Sequence, residues 1–439
     1  MKQLLTKLSF DGMLRDSGIT FTLRLTAAIF AYANFILLAR LLQPSSLGHF
    51  VFAQSSLWLL VDLGTLGLSF AAMRFIPNAV AQDRMDEASN YLAYSRRAVL
   101  TSALLLATVL CIWLWVNSPP TPPTRTLLML IICIGVPFGA ITALHNAVSR
   151  AFRWFVFASA VGVTLRPVMF FIVLVFLFVT LDEPTSPDTV AWILVGILAG
   201  VSLLQALILR VRLRHLALPA PRKSHGRKWL STGVLLLFAT IYSSYALDLN
   251  IVIAGLYLEP EQLAVFNAVL RTLAILGFAS AAVGVALSPR AAAMHARGDV
   301  NQLNLMARKS VLLTVIASLM AVVVLVALGE PILRLFGESF AIGYPALLVA
   351  AAGQVCLSTS VSMLPLVAMT GHHVSLAWGV AVLIPIVVTL HAICVPLFGL
   401  MGASYAFVGA AVFWLIWVYW IARQRVGIRL FSSRLQPGL

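Results

Sequence analysis

Five ionisable side chains stand inside long apolar stretches of this sequence: Arg24, Asp62, Arg166, Asp248 and Arg271. Insertion scales put a charged group at the middle of a bilayer at roughly 2.5–3.5 kcal/mol, so such residues normally face a polar cavity or an opposite charge. On a helical period, Asp62 shares its face with Ser55, Trp58, Thr65 and Ser69, and Arg24 with Ser17, Thr20 and Ala31. In the same way Arg166 shares a face with Ser159 and Gly162, and Arg271 with Asn267. Small and polar neighbours let water or a ligand approach. Two readings follow. In one, the charges lock helices together, Asp62 with Arg24 and Asp248 with Arg271. In the other, they line a wet cavity. Arg166 fits the cavity best, because it sits near mid-helix directly before Pro167, where a kink frees carbonyl groups, and its helix holds no acid to neutralise it. Arg24 lies roughly two turns from a helix end and can snorkel there.

Other chemistry is not indicated. The sequence has no nucleophile with a base at useful spacing, no H-E-x-x-H, no phosphate-cradling glycine loop and no metal-ligand cluster. An enzyme is therefore not expected, and neither is a cofactor or a bound metal. His145 and His391 read as donors within their own helices, and His372-His373 as a cap on the tight turn MTGHHVS. Cys111, Cys133, Cys356 and Cys394 all fall in apolar stretches and read as packing residues.

The elements that must position the charges are membrane helices. Of the 439 residues 61% are hydrophobic and only 10% charged, a balance that no water-soluble surface could supply. Apolar segments long enough for a core of about 30 Å run over 17–42, 47–73, 98–116, 126–149, 155–181 and 190–210. A second set runs over 231–257, 262–289, 310–329, 341–366, 374–397 and 400–421. The net charge of +15 does not point to nucleic acid, because the basic residues punctuate apolar stretches instead of gathering on one face. With the N-terminus inside, only Arg40, Arg125 and Arg334 of the 30 lysines and arginines fall in outer segments, while the outer loops LDEPTSPD, LEPEQ and GEPILRLFGES hold seven of the 15 acids. Both ends are thus expected in the cytoplasm. Lys2, Lys7 and Arg15 precede an apolar run too long for a signal peptide, which reads as an uncleaved first helix.

The expected architecture is all-α, with about twelve membrane helices. Residues 1–215 form an N-lobe of helices 1–6, 216–230 a basic cytoplasmic connector, 231–421 a C-lobe of helices 7–12, and 422–439 a basic tail. A repeat supports the division: Leu42, Pro44, Leu47 and Phe50 match Leu258, Pro260, Leu263 and Phe266 as L-x-P-x-x-L-x-x-F, and Arg74 matches Arg290 at the same offset. Even-numbered halves run in the same sense, an arrangement common in two-lobed transporters. The basic inner loops, above all Arg210, Arg212, Arg214, Arg222, Lys223, Arg227 and Lys228, set orientation and meet anionic lipids at the cytoplasmic face.

The first hairpin, FILLARLLQPSSLGHFVFAQSSLWLLVDLGTLGLSFAAMRFIP, resembles the Wzx-type polysaccharide flippases of the multidrug/oligosaccharidyl-lipid/polysaccharide exporter superfamily. The likeness rests on Ala39-Arg40, Leu42, Pro44, Gly48, Leu66-Gly67-Leu68 and Arg74-Phe75. The turns Met369-Thr370-Gly371 and Gly399-Leu400-Met401-Gly402-Ala403 are similar to the family's second half.

The resemblance implies a V-shaped, MATE-like pair of six-helix lobes in a bacterial inner membrane. Such a protein translocates an undecaprenyl-pyrophosphate-linked glycan by alternating access, with a polysaccharide polymerase and co-polymerase as further partners. A guanidinium binds pyrophosphate through paired hydrogen bonds and keeps its charge, so Arg24, Arg166 and Arg271, with Asn267, are the expected substrate contacts. Asp62 and Asp248 then serve either as a coupling site or as partners that neutralise the arginines. Drug and cation exporters of the same superfamily remain an alternative, disfavoured because three arginines against two aspartates repel cations. A non-transporting scaffold for a polysaccharide synthesis complex is the third reading.

Overall fold

Pro44 and Pro260 begin helices in the same way. The computed structural model describes residues 10–180, 185–216, 219, 226–274, 300–369 and 373–425. In it the repeat is a repeated piece of backbone. Leu42 N–H donates to Leu38 O at 2.9 Å and Leu47 N–H to Gln43 O at 2.9 Å; 216 residues on, Leu258 N–H donates to Ala254 O at 2.8 Å and Leu263 N–H to Glu259 O at 2.9 Å. The prolines cost no hydrogen bond at the first helical turn, where an N–H has no partner anyway. The paired Leu47 and Leu263, and Phe50 and Phe266, are all buried.

The first compact unit spans Met1–Leu237. Its helices are α1 (Phe10–Leu41), α2 (Pro44–Gly64), α3 (Leu68–Ala81), α4 (Met85–Val116), α5 (Thr124–Ala151), α6 (Phe155–Thr180) and α7 (Pro187–Arg214). The predicted span 47–73 is broken: α2 and α3 meet at a 42° bend. Leu66 (φ 50°) and Gly67 (φ 68°) both take left-handed backbone there. Thr65 closes the end of α2, its hydroxyl donating to Asp62 O at 2.7 Å and accepting from Gly67 N–H at 3.2 Å. Tyr91 pins the start of α3, donating to Leu68 O at 2.5 Å. Small residues set the close packing behind the bend, with Gly64 against Ala103 and Ala140, and Gly135 against Leu57 and Val195. Helix α4 begins at Met85, well before the predicted 98, because apolarity marks the membrane crossing and not the length of a helix whose charged inner turns also pack, as Tyr91 and Leu92 do.

The second unit spans Phe238–Leu439. The division from the first falls within α8 (Gly226–Ala254), whose backbone leaves the helical range at Tyr245. There follow α9 (residues 260–274), α10 (Val300–Arg334), a short 3₁₀ turn at Glu338–Gly343, α11 (Tyr344–Met369) and α12 (His373–Arg425). Helix α12 is two spans, as expected. Gly399 interrupts it at φ 54°, ψ −129°, and across that point Gly402 faces Cys394, Gly409 faces Leu390 and Gly379 faces Trp417. Numbers that fall on one arm as they rise on the other define an antiparallel hairpin, closed at its base by Trp417 Nε1 donating to Ser375 O at 3.1 Å. Tyr242 and Trp414, both buried, meet edge to face at 5.4 Å in the core of this unit.

Among the described residues, eight helices are long and apolar enough to cross a membrane, and two bent pairs bring the total to ten. The second arm of α12 adds an eleventh, and α9 opens the predicted span 262–289, whose further part lies outside the described residues. Outward-facing side chains are apolar, as lipid requires: Leu105, Trp115 and Val179 in the first unit and Met320, Val323 and Trp378 in the second are each more than 60% exposed. The distal part of span 262–289, Arg290, the connector residues Arg222 and Lys223, the turn through Thr370, Gly371 and His372, and the tail beyond 425 lie outside the described residues.

Candidate functional site

Three helices of the first unit converge near Arg166. After a first α-helical turn at Phe155–Ser159, helix α6 takes a π-turn over Ala160–Thr164, which widens the backbone just before Arg166-Pro167. Side-chain hydrogen bonds tie this turn to itself and to α1. Thr164 Oγ1 donates to Leu23 O (2.9 Å) and Ser159 O (3.0 Å), and buried Asn34 of α1 donates from Nδ2 to Pro167 O at 2.9 Å. Phe30 and Phe171 seal the same α1–α6 seam edge to face at 5.0 Å. Half-buried Arg166 then lays its guanidinium over the ring of Trp58 in α2, with Cζ 4.1 Å from the centroid. Asp62, one turn further along α2 on the same face, is 4% exposed. A half-buried cation on an aromatic face, with a buried carboxylate one helical turn along from that ring, makes a polar patch where α2 meets α6.

The second unit has a cleft of its own. Asp248 of α8 and Arg271 of α9 approach to 3.7 Å (Oδ1 to Nη2) and line a cavity of about 360 Å³ with Ser244, Gln354 and Ser358. Gln354 and Ser358 stand one turn apart on α11, Nε2 donating to Oγ at 3.4 Å. Asn267, one turn before Arg271, is buried, and its Oδ1 accepts no hydrogen bond from the described residues.

Of the residues singled out from the sequence, Asp248 and Arg271 are thus together, and Arg166 meets Trp58 beside Asp62. Arg24 is exposed on α1, apart from both groups in accessibility. His391 is a donor within its helix, Nδ1 lying 2.9 Å from Val387 O. A search confined to charge passed over Asn34, Gln354 and Ser358. Their signal was a neutral polar residue in a run otherwise apolar, as in FAYANFILL and AAAGQVCLST.

The chain matches the family described as polysaccharide biosynthesis protein over residues 13–295, and the MatE family over residues 235–367. The first match covers well over half of the sequence. The chain belongs to the polysaccharide biosynthesis protein family. No curated protein sequence matches this family member. Solved structures do resemble it in fold. An inward-facing multidrug resistance MATE family transporter of the MOP superfamily gives a TM-score of 0.73 at 14% identity, over 93% of this chain and 98% of that one. The lipid II flippase MurJ in an inward closed conformation gives 0.67 at 13% identity, over 94% and 88%. A MOP superfamily transporter from Pyrococcus furiosus gives 0.64 at 15% identity, over 94% and 95%. This member of the polysaccharide biosynthesis protein family is therefore a multi-pass membrane protein with the fold of those solved transporter and flippase structures, as the first hairpin led us to expect.

Proposed function

We propose that this protein is a flippase that moves a lipid-pyrophosphate-linked oligosaccharide across a bacterial inner membrane for assembly of surface polysaccharide. The observation that carries the reading is Arg166: a group that stays charged at any physiological pH, held at a widened helix turn within the segment that matches the polysaccharide biosynthesis family. A pyrophosphate cannot cross hydrocarbon unaided, and a guanidinium offers it paired hydrogen bonds. The sugar travels in the wet interior while the polyprenyl tail stays in lipid. Arg271 with Asn267 and the Asp248 cleft provide a second polar region, and Asp62 and Asp248 offset part of the arginine charge when no substrate is bound. A polymerase and co-polymerase receive the product at the outer face.

One observation favours the antiporter alternative. Asp248 lies close enough to Arg271 to cancel much of its charge, so the second unit, which carries the MatE match over 235–367, does not repel cations as strongly as the residue count implied. Complementation of a strain lacking the gene separates the two. The flippase reading expects restored surface glycan with wild type, and lost glycan with inner-leaflet precursor accumulating for Arg166→Gln at equal membrane level. Full export by that variant overturns the site assignment. Drug resistance with no effect on glycan moves the function to the antiporter.

A further inference from the structure

We propose that the inner end of α7 holds an anionic phospholipid of the inner leaflet, its phosphate on Arg210, Arg212 and Arg214 and an acyl chain along the exposed strip below them. These arginines, with His215, line a groove of about 620 Å³ whose apolar wall includes Leu207 and Val211. Arg210 and Arg214 are four residues apart and share a face, and Arg212 borders the same groove from its other edge. Arg212 is held there by aromatic rings of the neighbouring helix entry, its Cζ 4.6 Å from the Phe157 centroid and 5.3 Å from that of Trp154, which itself stacks on Phe152. The groove is thus flanked by cations on both sides.

The surroundings do not neutralise it. After Asp188 at its start, α7 has no acid, and among the described residues no carboxylate pairs with Arg210, Arg212 or Arg214. Basic residues in a last turn do oppose the helix dipole, which accounts for the sign of the charge but not for the apolar strip that leads to it. Leu203, Leu207 and Val211 recur at every fourth position and are 63%, 53% and 53% exposed. They form one continuous line that ends at Arg210 and Arg214. An amphipathic anion satisfies both halves of this surface, whereas a soluble phosphate uses only one. Basic clusters at the cytoplasmic ends of membrane helices gain about 1 kcal/mol per residue from anionic lipid. Each arginine is therefore expected to contribute about fivefold to selectivity. The site is independent of the flippase reading, since its test measures binding and not export.

The test counts phosphatidylglycerol and phosphatidylcholine of identical acyl chains bound to the purified full chain in detergent, by native mass spectrometry. Wild type is expected to retain the anionic lipid at least about tenfold better, and R210Q/R212Q/R214Q to lose the preference while R210K/R214K keeps most of it. If the triple variant unfolds, wild type alone remains decisive, because its preference must fall as salt rises. Equal retention of the two lipids by wild type, an unchanged preference in a folded triple variant, or full displacement by millimolar inorganic phosphate each overturns the proposal.

Discussion

The Arg166 guanidinium carbon sits 4.1 Å from the centroid of the Trp58 ring, an arrangement that fixes one face of the cation against α2. The aromatic contact is worth about 0.5–2 kcal/mol. Trp58→Leu should therefore reduce translocation of lipid-linked glycan roughly two- to thirtyfold at unchanged protein level. Arg166→Lys should restore little of what Arg166→Gln loses, because an ammonium neither stacks nor presents a fork. A lysine variant with wild-type export, measured as surface polymer against trapped precursor, would show that bare charge suffices and that the ring geometry is idle.

Asp248 and Arg271 are a partly exposed pair at 3.7 Å, so their coupling is expected to be modest, about 1 kcal/mol or less. Asp248→Asn and Arg271→Gln should each lower the detergent melting temperature slightly, and the double variant should lose less than the sum. A double-mutant cycle by thermal unfolding reads the coupling. Strict additivity would mean that the two side chains do not stabilise one another.

Asn34 ties α1 to α6 through the buried bond to Pro167 O at 2.9 Å. Asn34→Leu removes a second donor from a carbonyl beside Arg166 that keeps its own helical bond, at a cost of about 0.5–1.5 kcal/mol. The variant should melt lower and also export less, as the support behind Arg166 loosens. Normal stability would show that this carbonyl does not depend on Asn34.

The membrane helices were legible because apolar length and the inner bias of lysine and arginine are strong signals along one chain. The repeat at Pro44 and Pro260 was legible because proline at a helix start leaves a local mark. The break after Asp62 was not: Leu66, a non-glycine residue with φ 50°, adopts that backbone only under tertiary constraint. The site was half legible. Charges in apolar runs announce themselves, which is why Asp248 and Arg271 could be paired in advance. Asn34, Gln354 and Ser358 carry no charge, and their roles depend on which helix each one faces. Arg24, near a helix end, is exposed, as a snorkelling charge and one lining an open wet cavity both are.

Gly67 and Gly399 both have positive φ, 68° and 54°, yet alanine should act very differently at the two positions. At Gly399 the nearest atom to an added Cβ would be Gln262 Oε1 at 3.7 Å, so the substitution meets only backbone strain, of order 1–3 kcal/mol. The hairpin of α12 should survive it with a lowered melting temperature. At Gly67 the Cβ would run into the Gly233 carbonyl, and Gly233 in turn lies against Leu66 O at 2.8 Å from its own added Cβ. Two backbones meet there without side chains between them, and rigid carbonyl groups cannot yield as a flexible side chain would. Gly67→Ala should therefore cost more than Gly399→Ala and sharply lower the amount of folded protein recovered from membranes. Comparable melting temperatures for the two variants would show that the α2–α3 bend can move away from residue 233, and that the close approach is not needed for folding.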